Sequence, residues 1–433
     1  MSQQLVRSIY DQIKSRILVS GPIPVADYMK MALTNSGIIL PPDKSQGTAK
    51  REIDAGYYMK KDVFGPSGDF VTSPEISQMF GEMIGIWGIQ TWLQIGGPKK
   101  FNIVELGPGR GSLAKDMLRV FKRFERLIGS DVSLHLVEIS PFMANLQEET
   151  LCEKKKNYLD YITRRSESNW IDPAKVLPHQ SYYHKAISKD TNYPIYWYRD
   201  VQSIPNEFNF YIAHEFFDAL PIHKLQKVDD HQWREILVDI DPLALPDTEK
   251  LRFVLSRHET PVIKILERFQ DKLLQDHRQH IEISLETITV LDEMTSRIDR
   301  DGGIALVIDY GHDGTKEDTF RGFYKHKLHD PLLKPGTADL TADVDFSFVR
   351  KFCWDKAWVL GPTSQRDFLK SVGIEVRYNK LVAQCKTDTE KLVLQSGYRM
   401  LIDDMGERFK FMGIFPKILE NYKPGLKIVG FHE

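Results

Sequence analysis

Four clusters of residues in this chain have side chains and spacings suited to chemistry. The first is FNIVELGPGRGS at 101–112, where Phe101, Ile103, Val104 and Leu106 surround Glu105 and lead into Gly107, Gly109 and Gly111. A strand, a glycine turn and a helix make the nucleotide-binding opening of a doubly wound α/β sheet. Glycine lets the backbone pass close to a ligand where a Cβ would collide. Position 112 is Ser, which breaks the dinucleotide pattern G-x-G-x-x-G. The G-x-G-x-G form, with Glu105 two residues ahead, suits S-adenosylmethionine better than a pyrophosphate. That cofactor has no phosphate for the helix N-terminus, but its ammonium and ribose need acceptors. The alternative is a tight turn that holds no ligand.

The second cluster is Glu138, which follows the apolar run 133–137 and is placed to accept hydrogen bonds from ribose hydroxyls. The third is His214, Glu215 and Asp218, directly after the buried-strand pattern FNFYIA at 208–213. The fourth is Asp309 and His312, after IALVI at 304–308. Ligands of open α/β sheets bind at the carboxyl ends of the strands, so all four clusters converge on one edge. His214-Glu215-x-x-Asp218 echoes a metalloprotease helix, but the second His is missing and Pro221 cuts a helix short, so no metal is expected.

A sulfonium is already electrophilic, so the work left to an enzyme is positioning. An arginine acceptor stays protonated and prefers a planar carboxylate partner. Glu215 and Asp218 have the chemistry to orient it, and Asp309 or His312 to take the released proton.

The elements that must hold these residues are legible in outline. Leu5, Ile9, Ile13 and Ile17 share one helical face, and this basic first segment reads as a helix of the fold in preference to a mitochondrial presequence. A second helix is expected at 25–33 and a polar loop at 35–55. In Thr72, Ser73, Pro74 and Glu75, a hydroxyl N-cap, a first-turn proline and an acid begin a helix. Gly81, Gly85 and Gly88 within it imply that something packs very close. One amphipathic helix is expected from Leu113 to Ile128, and a charged surface helix at 153–166. Alternating stretches between 222 and 284 read as antiparallel hairpins inserted into the sheet, and 315–345 as a long polar loop. The fold class is therefore α/β, a Rossmann-like sheet with an inserted antiparallel β region. A helical cap is expected at 1–98, the core at 99–221 and 286–433, and the insertion at 222–285.

Composition narrows the options further. A net charge of −2 over 433 residues argues against broad nucleic-acid binding. Cys152, Cys353 and Cys385 lie far apart and fit neither a disulfide framework nor a zinc site. No apolar run is long enough to span a bilayer.

Beyond the glycine loop, several blocks carry a family resemblance: GPIPVADYM at 21–29, GDFVTSPEISQMFGE at 68–82, HEFFDALPIHKLQ at 214–226, DYGHDGTKEDTFRGF at 309–323 and HKLHDPLLKPGTADLTADVDFS at 326–347. The chain resembles the MidA family of S-adenosylmethionine-dependent methyltransferases, from about Gly21 to about Pro416. The mitochondrial branch of that family methylates arginine and serves complex I assembly. The resemblance implies a class I methyltransferase fold, S-adenosyl-L-methionine as cofactor, a respiratory complex I subunit as protein substrate and a mitochondrial matrix location. It also implies that Thr72, Ser73, Pro74 and Glu75 help close the cofactor pocket with the glycine loop and Glu138, and that the block around Asp339, Leu340, Thr341 and Asp345 lies near the acceptor. The other readings are a noncatalytic cofactor-binding assembly chaperone, a nicotinamide-dependent dehydrogenase, disfavoured by Ser112, and methylation of a small molecule or nucleic acid.

Overall fold

The computed structural model describes residues 8–37, 39–40, 51–52, 54–60, 62–63, 72–129, 131–153, 181–229, 232–243, 250–267, 276–423 and 425–431. They fall into two compact units. The first comprises residues 1–70, 218–288 and 314–343, the second residues 71–217, 289–313 and 344–433.

In the first unit, Ser8 and Asp11 form a capping box at the start of α1 (Ile9–Ser20), and Ile9, Ile13 and Ile17 are buried. Helix α2 (Val25–Thr34) follows. Both helices contribute to a core with Tyr57, Ile222, Val238 and Leu251. The expected hairpins form an antiparallel sheet from His223–Asp229, Gln232–Ile240, Leu251–Leu255 and His280–Ile283, with Ile23–Pro24 on one edge. Residues 315–345 are not a plain loop. Arg321–Tyr324, Lys327–His329 and Asp339–Thr341 build a three-stranded sheet of their own. Lys325 and His326 make the hairpin turn with φ of 49° and 61°, a conformation usually marked by Gly or Asn, so its sequence signal was absent.

In the second unit a mixed sheet is built from β1 (Phe101–Leu106), β2 (Val132–Val137), β3 (His184–Ile187), β4 (Pro194–Tyr198), β5 (Asn209–His214), β6 (Gly303–His312), β7 (Ala357–Ser364) and β8 (Phe409–Pro416). Their order is β7-β8-β6-β5-β1-β2-β4-β3. The strands β4, β2, β1, β5 and β6 run parallel, whereas β8 is antiparallel to β6 and β7. This is the Rossmann-like sheet expected from the sequence. All six residues of β1 are buried, as are all six of β5, in keeping with a strand covered on both faces.

Helix α3 (Gln78–Gln94) packs against α4 (Ser112–Arg123) and the sheet, so residues 71–98 cluster with the second unit and not with the N-terminal helices. Its glycines explain why. A Cβ at Gly81 would come within 2.6 Å of Asp116 Cβ, and one at Gly88 within 2.4 Å of the Phe210 ring. Trp87 sits among Phe210, Phe368, Phe415 and Phe431 in the core.

Two expected helices are interrupted. Ser73–Ile76 is a single turn, and Ser77, in extended conformation, caps α3 by accepting from Met79 N. The helix expected from Leu113 to Ile128 breaks at Phe124 into α4 and a second turn, Glu125–Ile128. Of the helix expected at 153–166 only Glu153, which is not helical, is among the described residues.

Candidate functional site

Strand register brings the predicted clusters to one edge of the second unit. Leu106 pairs with Val137 and Ala213, and Ala213 with Val307, so Gly107, Glu138, His214 and Ile308 stand in the next row. That row lies at the carboxyl ends of four parallel strands, where the chain changes direction between β1 and β5.

Each glycine of the loop has a positive φ: 60° at Gly107, 51° at Gly109 and 81° at Gly111. A Cβ at Gly107 would sit 2.9 Å from Phe216 Cδ2, so the loop and the β5 turn are in close contact there. Gly111 is the N-cap of α4 and has no side chain to satisfy the first amides. Glu105 does this instead. Buried at 3 % exposure, it accepts from the Ala114 amide in the first turn of α4. Burial pushes its carboxyl up to about 8. The second oxygen has no partner among the described residues. Glu105 therefore supports the helix start from beneath the loop. Glu75 reinforces the same end, accepting from Ser112 Oγ and, at 3.3 Å, from Arg110 Nη1. A helix end already engaged by two carboxyl groups is poorly suited to a pyrophosphate, which would normally bind there.

Thr72 caps the turn Ser73–Ile76 through its backbone alone, and Pro74 lies in that turn. Ser73 is fully buried, with Oγ 3.7 Å from Met405 Sδ.

Glu138 is held by three partners. Its Oε1 accepts from Ser140 N at 2.7 Å, its Oε2 from Gln147 Nε2 at 2.9 Å, and its backbone carbonyl from Tyr183 Oη at 2.8 Å. Burial pushes its carboxyl up to about 7. Gln147 Nε2 also donates to Gly109 O at 2.8 Å, and Gln147 Oε1 accepts from Trp197 Nε1 at 2.9 Å. Gln147 thus ties the acid to the glycine loop, a role the sequence reading missed. The signal was a glutamine on the buried face of helix α5 (Pro141–Leu151), among Met143, Ala144 and Leu151.

On the β5 side, Glu215 has φ of 47°, a conformation that non-glycine residues seldom adopt. Three hydrogen bonds fix this turn. Glu215 N donates to Ile308 O at 2.9 Å, and Asp309 Oδ2 accepts from Phe216 N at 3.2 Å and Phe217 N at 3.1 Å. Asp309 Oδ1 also accepts from Tyr310 N at 3.1 Å. Asp309 is thus fully buried and committed to backbone amides. His214 Nε2 lies 3.3 Å from Glu215 Oε1, and burial lowers its pKa to about 3, so the ring is neutral. His312 is buried at the end of β6, beside Asp345 in the parallel register. Asp218 falls in the first unit, buried, with its carbonyl accepting from Ala342 N at 3.0 Å. Among the described residues no group of three or more His, Cys, Asp or Glu side chains is arranged to hold a metal.

The residues at this edge suit S-adenosylmethionine. The loop is glycine at the position that packs on Phe216, Glu138 offers a buried acceptor, and the helix end is unsuited to phosphate. Sequence comparison settles the class. Residues 83–363 match the family described as "Putative S-adenosyl-L-methionine-dependent methyltransferase". The chain belongs to this family. The resemblance to MidA-like methyltransferases thus holds.

The chain is 45 % identical over 405 residues to the Xenopus tropicalis protein named "Protein arginine methyltransferase NDUFAF7, mitochondrial", covering 93 % of this chain and 84 % of that one. The Homo sapiens protein of the same name is 43 % identical over 415 residues, 95 % of this chain and 83 % of its own. Among solved structures, a Burkholderia thailandensis protein with S-adenosyl-homocysteine bound superposes with a TM-score of 0.68. At 22 % identity over 95 % of this chain and 92 % of that one, it establishes the class I fold alone.

Proposed function

We propose that this chain is an S-adenosylmethionine-dependent protein arginine N-methyltransferase of mitochondria, acting on a subunit of respiratory complex I. The observation that carries the reading is the near full-length identity to relatives named for arginine methylation. The site residues agree in kind: a glycine loop and Glu138 for the cofactor, and Glu215 for the acceptor.

When bound, S-adenosylmethionine supplies an electrophilic methyl group on a sulfonium. Gly107, Gly109 and Gly111 admit it, Glu138 accepts from its ribose hydroxyls, and Thr72, Ser73, Pro74 and Glu75 border the cofactor site. Glu215 pairs with the acceptor guanidinium and draws its charge from the attacking nitrogen. Neutral His214 lies 3.3 Å from the Glu215 carboxylate, and Asp309 holds the turn that carries it. Asp309 accepts from three backbone amides, and Glu215 and His312 are proposed to take the displaced proton. Asp218, in the first unit, is another carboxylate with the chemistry to pair with a guanidinium.

Mass spectrometry of complex I subunits, with and without the protein, tests this reading. A methylarginine that disappears with the protein and returns with the wild type, but not with Glu215→Gln, is expected. Restoration of assembly by Glu215→Gln without any methylarginine would replace the enzyme with an assembly chaperone.

A further inference from the structure

One surface of the second unit brings large apolar side chains and lysines together. Trp354, just past the helix Phe346–Cys353, is 61 % exposed. Ile418 and Tyr422, in the 3-10 turn Lys417–Tyr422, are 60 % and 62 % exposed. Single exposed apolar residues need no explanation, but a group of them rimmed by polar side chains marks a contact surface.

Lys417 joins the two segments. Its Nζ donates to Trp354 O at 2.7 Å and lies 5.1 Å from the centre of the Trp354 ring. At the far end of the turn, Lys423 Nζ lies 5.9 Å from the centre of the Trp358 ring. Glu420 stands between, pairing with Lys417 at 2.6 Å and Lys423 at 2.9 Å. The turn therefore runs alongside residues 354–358.

The surface is basic. Residues 350–356 and 417–427 hold six basic side chains and two acidic ones, in a chain whose net charge is −2. Asp313 and Asp292 pair with Arg350 and Lys356 from outside those stretches, so a positive surplus remains. Lys351 and Lys427 are exposed and make no ion pair among the described residues. Sheet register sets the surface apart from the cofactor edge. Ala357 pairs with Pro416, and Ala305 with Ile414 on the antiparallel β8, which puts Pro416 and Ala357 at the amino end of β6. Glu138, His214 and Asp309 lie toward the opposite ends of the strands, so contact at this surface leaves them open.

We infer that this surface docks the protein on an anionic lipid bilayer. Tryptophan and tyrosine favour the headgroup level of a membrane, where the ring is apolar and the polar tip stays wet. Lysine stems lie along apolar surface while their ammonium groups reach lipid phosphates, and each adds attraction to a negative leaflet. A protein partner fits this composition less well, because lysine is depleted from protein–protein interfaces. The attachment is peripheral: no helix among the described residues is long and apolar enough to cross a membrane.

The test is sedimentation of the full chain with vesicles of phosphatidylcholine, alone or mixed with phosphatidylglycerol, at low and high salt. The wild type is expected to bind the anionic vesicles at least about tenfold more tightly than the neutral ones, and to lose that preference at high salt. Trp354→Ser combined with Ile418→Ser should weaken binding to anionic vesicles at least about tenfold, through lost apolar contact. Lys351→Gln combined with Lys427→Gln should weaken it about fivefold per lysine. Melting temperature and S-adenosylmethionine affinity should match the wild type in both variants. Tryptophan emission should shift to the blue on anionic vesicles, and Trp354→Phe should remove that shift. A wild type that ignores anionic vesicles, or one whose binding survives both double variants, would overturn the inference. Binding to polyglutamate but not to vesicles would overturn it in favour of an acidic protein partner.

Discussion

Gln147 and Glu138 are joined by an amide–carboxylate hydrogen bond of 2.9 Å, and the same amide nitrogen reaches Gly109 O at 2.8 Å. One side chain therefore sets both the acceptor proposed for the ribose and the backbone of the loop proposed to wrap the cofactor. Trp197 holds Gln147 in place from the neighbouring strand. The glycine loop is held by a side chain from another element.

Gln147→Leu should weaken S-adenosylmethionine binding by about tenfold or more, because Glu138, Gly109 and Trp197 each lose a buried partner. Calorimetric titration measures this. Unchanged affinity would mean the loop needs no such tie.

Gly107→Ala meets two penalties, a left-handed φ of 60° and a Cβ 2.9 Å from Phe216. The backbone term alone is about 1 kcal/mol. Phe216→Ala in the same chain removes the collision and leaves the φ term, so the double variant should recover part of the lost stability and cofactor affinity. No recovery in the melting curve would show that Phe216 is not the obstacle.

Glu105 and Glu138 give stability a definite pH dependence. Burial raises their carboxyls to about 8 and about 7, above the ordinary 4.5. The native state then binds these protons more tightly than the unfolded chain. Their contribution is complete below the unfolded value and is lost as pH rises through about 7 to 8. Melting temperature should therefore fall from about pH 5 to about pH 9, and Glu105→Gln should flatten the upper part of that decline. A variant that loses stability as steeply as the wild type would contradict this origin.

Glu215→Gly should leave stability within about 1 kcal/mol of the wild type or raise it, since glycine adopts φ near 47° without strain. Methyl transfer should nevertheless fall at least about 100-fold, the scale seen when a transition-state partner is removed. Thermal melts and radiolabelled transfer on one preparation separate the two effects. Full activity would remove Glu215 from the chemistry.

Much of the fold and part of the site could be read without coordinates. The glycine loop, Glu138, and the buried strands ahead of His214 and Asp309 were legible because turn chemistry and hydrophobic period are local properties. The rule that ligands gather at strand ends then brought them together, and the register of β1, β2, β5 and β6 agrees. The three glycines of α3 signalled a close approach without naming Asp116 or Phe210.

Only the tertiary structure decided which group each polar side chain satisfies. Glu105 turns to the Ala114 amide, Asp309 to the amides of Phe216 and Phe217, and Gln147 to Glu138 and Gly109. Those partners lie in separate stretches of chain, and burial makes each bond obligatory without leaving any periodic trace in the sequence. The sheet within 315–345 was hidden for a related reason. Lys325-His326 turns without glycine, and the pairing of Arg321–Tyr324 with Asp339–Thr341 depends on residues far apart in the chain. The sequence by itself determined which elements form and what chemistry their ends hold. Folding decided which of those groups hold the others in place, because that depends on contacts between distant segments.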